Sequence, residues 1–470
     1  MSNDLVTEID DYLRRLFPIN RSLTGEGNRE TLRILQEIAP FEITEYPSGL
    51  EVYDWVIPEE WHLRDAWIKD ESGQKLIDVN ENNLHIVGYS EPVIGKFSFD
   101  ELDHNLHTIP RPEATPYHTS FPEHPEAIPY RTSYYKRDWG FCVNTIQYDA
   151  LKAYSGKLEV CIDSEFLPKG SMSMGELFIP GKREEEYLVS TYICHPSMAN
   201  DNLSGMITAA ILARIIMENG VPENSWRFVF APETIGAITY LNHHEKELDK
   251  VCGGLVVTCC GGKGRVGYKK SFLEDNIIDR AIEQAFRDLS VEPLRYPFYP
   301  SGGDERQYSS PGFRIPVATI CKDKYHEYYQ YHNSLDDLSF VNGSQVAETL
   351  GVYEKVFEIL NECRTFTARV PHGEPRLGKR GLYPAIGGGN KPGINLGESG
   401  ISYNEIDIIN WVLFLADGQH DLLSISELSG IPYENIVRVA KILEKNNLLD
   451  SQGKLDSVSS VKTIRVAKIN

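Results

Sequence analysis

Apolar positions in this chain change period along its length, and each change predicts a different architecture. Over residues 3–17, Leu5, Ile9, Leu13 and Leu16 form one stripe, and over 25–38 Leu32, Ile34, Leu35 and Ile38 form another, the spacing of two amphipathic helices. From about residue 48 to 165 the period falls to two in short runs, VYDWVIP, AWIKD, HIVGYS, GKFSFDEL and KLEVCID, divided by turns and by Pro-rich connections that long helices cannot accommodate. This stretch predicts an inserted all-β domain. Beyond it, the strand-like runs GELFIPG, YLVSTYIC, 225–231, LVVTCC and RIPVATIC alternate with helical patterns over 202–219, 234–248, 275–289 and 342–362. Alternation of that kind predicts an α/β domain, a mostly parallel sheet with helices on both faces, assembled from residues 1–47 and 166–365.

Residues 366–400 are rich in Gly and Pro and read as a linker. The GGGN within them follows no strand and precedes no Lys-Ser pair, so it does not predict a phosphate loop. Helices over 404–415, 424–429 and 432–446, then two strand-like runs ending in KTIRVAKI, make residues 401–470 resemble a small winged helix-turn-helix domain.

Composition narrows the functional classes. A chain of 470 residues is too long for one ordinary core, and 41% hydrophobic with 24% charged residues is a globular balance. The net charge of −21 opposes general affinity for nucleic acid or anionic membranes. MSNDLVTEIDDYLRRLF is acidic where a signal peptide is basic, and no window approaches 18 uninterrupted apolar residues, which predicts neither secretion nor a membrane span. The eight cysteines are scattered, several inside apolar runs, as for buried free thiols in a reducing cytoplasm. In the predicted insertion His104, His107, His118 and His124 have no metal-ligand spacing, and the aromatic density of residues 117–141 suits a wall beside a site or an interface.

Chemistry collects at the ends of the predicted strands, where open α/β sheets hold their ligands. YLVSTYIC delivers His195, then Asp201 just before a helix, where it could instead cap that helix. The run at 225–231 delivers Glu233, suited to a metal or to general-base work on water. RIPVATIC is followed by His332, with Asp336 and Asp337 close behind as partners for it. Asp304 lies in the loop segment YPSGGDERQYSSPG, where it is either a solvated carboxylate or a substrate-positioning group.

Across roughly residues 185–345 these residues resemble the zinc-dependent exopeptidases of the M28 aminopeptidase type. The similar motifs are His195 with Asp201-Asn202-Leu203-Ser204-Gly205, Glu233-Thr234-Ile235-Gly236, Gly303-Asp304-Glu305-Arg306-Gln307-Tyr308, and Tyr331-His332-Asn333-Ser334-Leu335-Asp336. The resemblance implies that Asp201 bridges two metals, that His195 and His332 each bind one, that Glu233 is the general base and that Tyr331 stabilises the oxyanion. The chain departs from the pattern at two ligands: Thr234 stands where the family has its second Glu, and Cys259 or Cys260 occupies the place of an Asp. Three outcomes therefore stay open: one zinc held by some of His195, Asp201, Glu233 and His332 with or without a weak second site, a site completed by a cysteine thiolate, or a scaffold without chemistry.

The expected function is a cytoplasmic zinc hydrolase acting on a peptide or small amide. The alternatives are an amide-processing or acyl-transfer enzyme on a non-peptide substrate, and an inactive regulatory protein that uses its winged tail. That tail carries seven Lys or Arg against nine Asp or Glu, and helix 432–446 offers only Arg438, Lys441 and Lys445. Such a balance argues against DNA and for protein contact, including self-association, because DNA affinity comes mostly from neutralising phosphates.

Overall fold

Strand β3 (Glu186–Tyr192) is buried at every residue because it lies near the middle of an eight-stranded sheet. The computed structural model describes residues 3–109, 124–382, 394–396 and 401–452. The other strands of that sheet are β1 (Glu42–Pro47), β2 (Ser171–Ile179), β4 (Ser225–Ala231), β5 (Val251–Val256), β6 (Val266–Lys269), β7 (Leu294–Tyr296) and β8 (Val317–Lys322). Their spatial order is β1-β2-β4-β3-β5-β8-β6-β7. The pairings β4-β3, β3-β5 and β5-β8 are parallel, whereas β1-β2, β2-β4 and β8-β6 are antiparallel. The edge pair β6-β7 is parallel as well, so the sheet is mixed, with its longest parallel run at the centre.

Alternate side chains of each central strand go to opposite faces. Tyr187, Val189, Trp226, Phe228 and Phe230 enter a core shared with α1 (Asn3–Leu16), α2 (Glu26–Leu35), α3 (Gly205–Glu218), α5 (Ile277–Asp288) and α6 (Gly343–Glu362). Leu188, Val229 and Ala231 enter the second core with α4 (Ile235–His243) and the inserted segment. The face predicted to carry only helices is therefore covered largely by the insertion.

That insertion is a four-stranded antiparallel sheet in the order Lys75–Asp78, Glu60–Lys69, Leu158–Leu167, Val93–Phe97. It also holds a helix, Thr145–Ala153, that an all-β reading omits. Tyr148 and Leu151 are its buried residues, too few for a readable stripe, and its start is fixed by reciprocal Asn144 and Gln147 capping bonds.

The tail begins earlier than expected. Thr365–Ala368, of which all but Thr365 fell in the expected linker, is the central strand of a three-stranded antiparallel sheet between Asp417–Asp421 and Leu449–Gln452. Helices Glu405–Phe414, Leu422–Ser429 and Tyr433–Lys445 complete it. The GGGN run, most of KTIRVAKI's approach and that run itself, and His118, lie outside the described residues. The tail packs on the body through the common apolar core and through Arg280, whose guanidinium donates to Asp421 at 2.8 and 2.9 Å and to Ser424 at 3.0 Å. Tyr433, Lys441 and Glu444 of the third tail helix bond to Ile359, Glu362 and Arg364.

Candidate metal centre

Three loops that leave the C-terminal ends of β3, β4 and β8 bring His195, Glu233 and His332 together. Between β3 and α3 the chain passes through an irregular turn over Ala199–Ser204, in which Asp201 and Asn202 have non-helical backbone angles. Asp201 does not cap α3, whose N-cap is Ser204 without a side-chain bond. Its carboxylate points at the histidines instead. His332 sits at φ 55° and Thr234 at φ 64°, so both loops turn sharply where they present their side chains.

His195 Nδ1 lies 3.5 Å from Asp201 Oδ1, and His332 Nε2 lies 3.1 Å from Asp201 Oδ2. One ligand atom from each of the three falls within 4.8 Å of the others. The two imidazole rings are 5.3 Å apart. Asp201 is fully buried; burial opposes its charge, yet His195 and His332 hold its carboxyl far below the usual range. His195 behaves in the converse way, since burial lowers it while Cys194, Asp201 and Glu233 raise it well above an ordinary imidazole. His195 Nδ1 and Asp201 Oδ2 are buried and make no hydrogen bond among the described residues. Two imidazoles and a carboxylate that converge in this way suit a zinc ion, which takes this donor set and leaves a further position open.

The other oxygen of Asp201 is engaged. Tyr192 donates its hydroxyl to Oδ1 and lies against Thr258 Oγ1 on its far side. Asp336, expected to support His332, accepts instead from the backbone amides of Asn200 at 2.6 Å and Asp201 at 2.9 Å, which fixes the turn carrying Asp201. Burial, with Asp201's charge behind it, pushes the Asp336 carboxyl up to about 8. Asp337 only closes its own turn, through the amides of Ser339 and Phe340.

Glu233 stands across His195 from Asp201, its Oε2 3.5 Å from His195 Nε2, and its side chain is 29% exposed. Metal-ligand geometry groups it with Cys194 and His195, and separately groups His195 with Asp201 and His332. Asp304 is no solvated loop carboxylate: it is 3% exposed and accepts the Thr234 amide at 2.8 Å. Burial first, and then the charge of Glu233, keep it protonated well above the usual range. Tyr331 is buried, its ring stacked on His332 at 3.9 Å. Cys260 faces away from the histidines, its amide bonded to Ser204 and its thiol to the Thr258 carbonyl. Cys259 reaches to 4.0 Å of Asp201 Oδ1 as a thiol that burial, and then Asp201's charge, hold well above its ordinary ionisation.

Tyr130 is a site residue that the strand-end logic misses. Its ring packs edge-on against His195 at 5.2 Å and His332 at 5.1 Å, and its amide donates to the His332 carbonyl at 2.8 Å. Pro129 pairs with Asn333, and Ser334 bonds to Ile128 through both its amide and its hydroxyl. The insertion therefore forms a wall of the site. The available signal was the aromatic density of residues 117–141, which carries no distance information.

Residues 10–363 match the family model described as "Domain of unknown function (DUF4910)", and residues 364–451 match a winged helix-turn-helix model. The chain belongs to the DUF4910 family. A relative from Clostridium acetobutylicum is 40% identical over 449 residues, covering 95% of this chain and 97% of its own, and is named for polysaccharide biosynthesis with an aminopeptidase-like domain. A crystal structure described as a peptidase from the same organism superposes with a TM-score of 0.82 at 36% identity, covering 96% of this chain and 97% of that one. BSAP, a zinc aminopeptidase from Bacillus subtilis, superposes with a TM-score of 0.54 at 10% identity over 75% of this chain and 93% of its own. The DUF4910 chain thus has the M28-type aminopeptidase fold, elaborated by the insertion and the winged tail.

Proposed function

We propose that this protein is a zinc hydrolase that cleaves an amide in the manner of an aminopeptidase, using one metal held by His195, Asp201 and His332. The observation that carries this reading is the convergence of those three side chains, with His195 Nδ1 and Asp201 Oδ2 buried and unsatisfied. A single metal is favoured because Tyr192 consumes the second oxygen of Asp201, and because Thr234 and a protonated Cys259 stand at the remaining ligand places. When bound, zinc supplies Lewis acidity and makes water acidic enough to attack near neutrality.

The chain's own groups do the rest. Glu233 is the accessible carboxylate at the rim, placed to take a proton from water and return it to the leaving amine. Tyr331 retains its phenolic proton, since burial and then the charges of Asp201 and Glu233 raise its ionisation well above the ordinary value, so it can donate to a developing oxyanion. Asp304 acts through the turn: by holding the Thr234 amide it sets where Glu233 points.

The second reading, an amide on a non-peptide substrate, draws on the relative's name in polysaccharide biosynthesis. For the tail we favour contact with protein over DNA, within a cytoplasmic enzyme that self-associates through it. The third tail helix, the one that would enter a groove, spends Tyr433 and Lys441 on the body and Arg438 on Glu405. Among the described residues no helix is long and apolar enough to cross a membrane. The test is Glu233→Gln: amide hydrolysis should fall by roughly 10²–10⁴-fold with zinc content and melting temperature unchanged. Undiminished hydrolysis in that variant would remove Glu233 from the mechanism.

A further inference from the structure

One tyrosine removed from the histidines, the insertion forms a half-open cleft of about 250 Å³ to which the hydrolytic chemistry gives no task. Glu59, Tyr89, Tyr134, Tyr135, Lys136 and Phe166 are among the residues that line it. It communicates with the metal centre through hydroxyls and rings: Tyr134 Oη is 2.9 Å from Tyr130 Oη, and Tyr130 packs on both His195 and His332. Tyr135, whose ring meets Trp55 edge-on at 5.2 Å, is also within electrostatic reach of the site. Partial burial, then the charges of Cys194, Glu233 and Asp304, raise its ionisation.

The lining decides what fits. Aromatic planes from three tyrosines and a phenylalanine alternate with a carboxylate, the Ser133 hydroxyl and an ammonium. An apolar side chain seated there would strip water from those polar groups and offer nothing back. A sugar ring presents both surfaces at once, an apolar C–H face for an aromatic plane and a rim of hydroxyls for polar groups. The volume lies just under the roughly 300–1,000 Å³ of pockets for drug-sized ligands, which suits one ring. Arg137 is already spent on Glu59 and on the face of Phe166. Lys136 makes no ion pair among the described residues, which leaves a cation free in a chain of net charge −21.

We infer that this cavity is a saccharide subsite, which takes one pyranose ring of the amide-bearing substrate with its C–H face on Tyr135 and an acidic substituent against Lys136. The inference rests on the hydrolase reading above for the cleavage step, and not for binding. Saturation-transfer NMR on the full chain tests it, with methyl β-D-glucuronide, methyl β-D-glucoside and the dipeptide Phe-Gly as probes. Wild type and Glu233→Gln should both saturate the glucuronide ring protons. Tyr135→Ala should weaken that binding about tenfold, and Lys136→Ala should bring the glucuronide down to the level of the glucoside. Tyr135 is 66% exposed, so its removal leaves the fold intact, and Tyr135→Phe should bind as wild type does. No transfer to either sugar, transfer unchanged in Tyr135→Ala, or Tyr135-dependent transfer to Phe-Gly alone would each overturn the saccharide subsite. Since binding is read in Glu233→Gln, failure of the hydrolase reading shows separately, as undiminished amide turnover in that variant.

Discussion

Asp201 divides its two oxygens between different tasks, and the proposed single metal draws on that division. Oδ1 accepts from Tyr192, while Oδ2 faces His332. Zinc measured by mass spectrometry should come to about one atom per chain and to essentially none in His332→Ala. Tyr192→Phe should keep the zinc but loosen it by roughly 10–100-fold in a chelator competition, because a carboxylate freed of its hydrogen bond is a less ordered ligand. Two atoms per wild-type chain would contradict the single centre. His195, Asp201 and His332 were legible because each follows a strand-like run, and the end of a parallel strand is where an open sheet collects its chemistry. Tyr192 and Tyr130 were not. Tyr192 reads as one more apolar position of β3, and Tyr130 lies 65 residues before His195 in a segment without periodicity.

At the scale of elements, the short turn from β4 into α4 carries the proposed base. Thr234 holds a left-handed conformation there, and Asp304 clamps its amide. Sequence reading placed Asp304 in a loop correctly but could not see that the loop folds inward, since burial of one carboxylate leaves no trace in local composition. Asp304→Ala removes the clamp without touching the metal ligands. Its kcat should drop by about tenfold or more with KM and zinc content nearly unchanged, the signature of a misplaced base. A rise in KM with unaltered kcat would instead assign Asp304 to substrate binding. The insertion shows the same limit of local reading. Period picked out parts of Glu60–Lys69, Val93–Phe97 and Leu158–Leu167 but missed Lys75–Asp78. It also read as strands HIVGYS, which forms none in the four-stranded sheet, and Phe99–Leu102, which is helical, whereas the helix Thr145–Ala153 hides behind two buried residues and a cap.

For the whole molecule, the decisive contact is Arg280 with Asp421, both nearly buried, between body and tail. Burial disfavours the Asp421 carboxylate, but Arg280 outweighs it and holds the carboxyl below its ordinary value of 3.8. A depressed carboxyl stabilises the folded chain fully above that value and loses the contribution as pH falls below it. Melting temperature should therefore decline from about pH 4 downward. Arg280→Ala, which strands Asp421, should cost about 3–5 kcal/mol at neutral pH and flatten that acid limb. A variant that melts like wild type would show the tail to be held by apolar packing alone. Sequence put the tail's helices in place to within a few residues but misjudged its start, because a Gly- and Pro-rich stretch looks like a seam. Among the described residues, Thr365–Ala368 carries the chain straight from α6 into the tail's sheet. Since Thr365–Ala368 leaves α6 directly and supplies the middle strand of the tail's sheet, a backbone cut anywhere between residues 382 and 401 would release no free module. One fragment would keep a strand with two open edges and the other would keep the two strands that close them, so the halves would stay together as a complemented pair, and the winged tail could neither be shed nor exchanged as a unit.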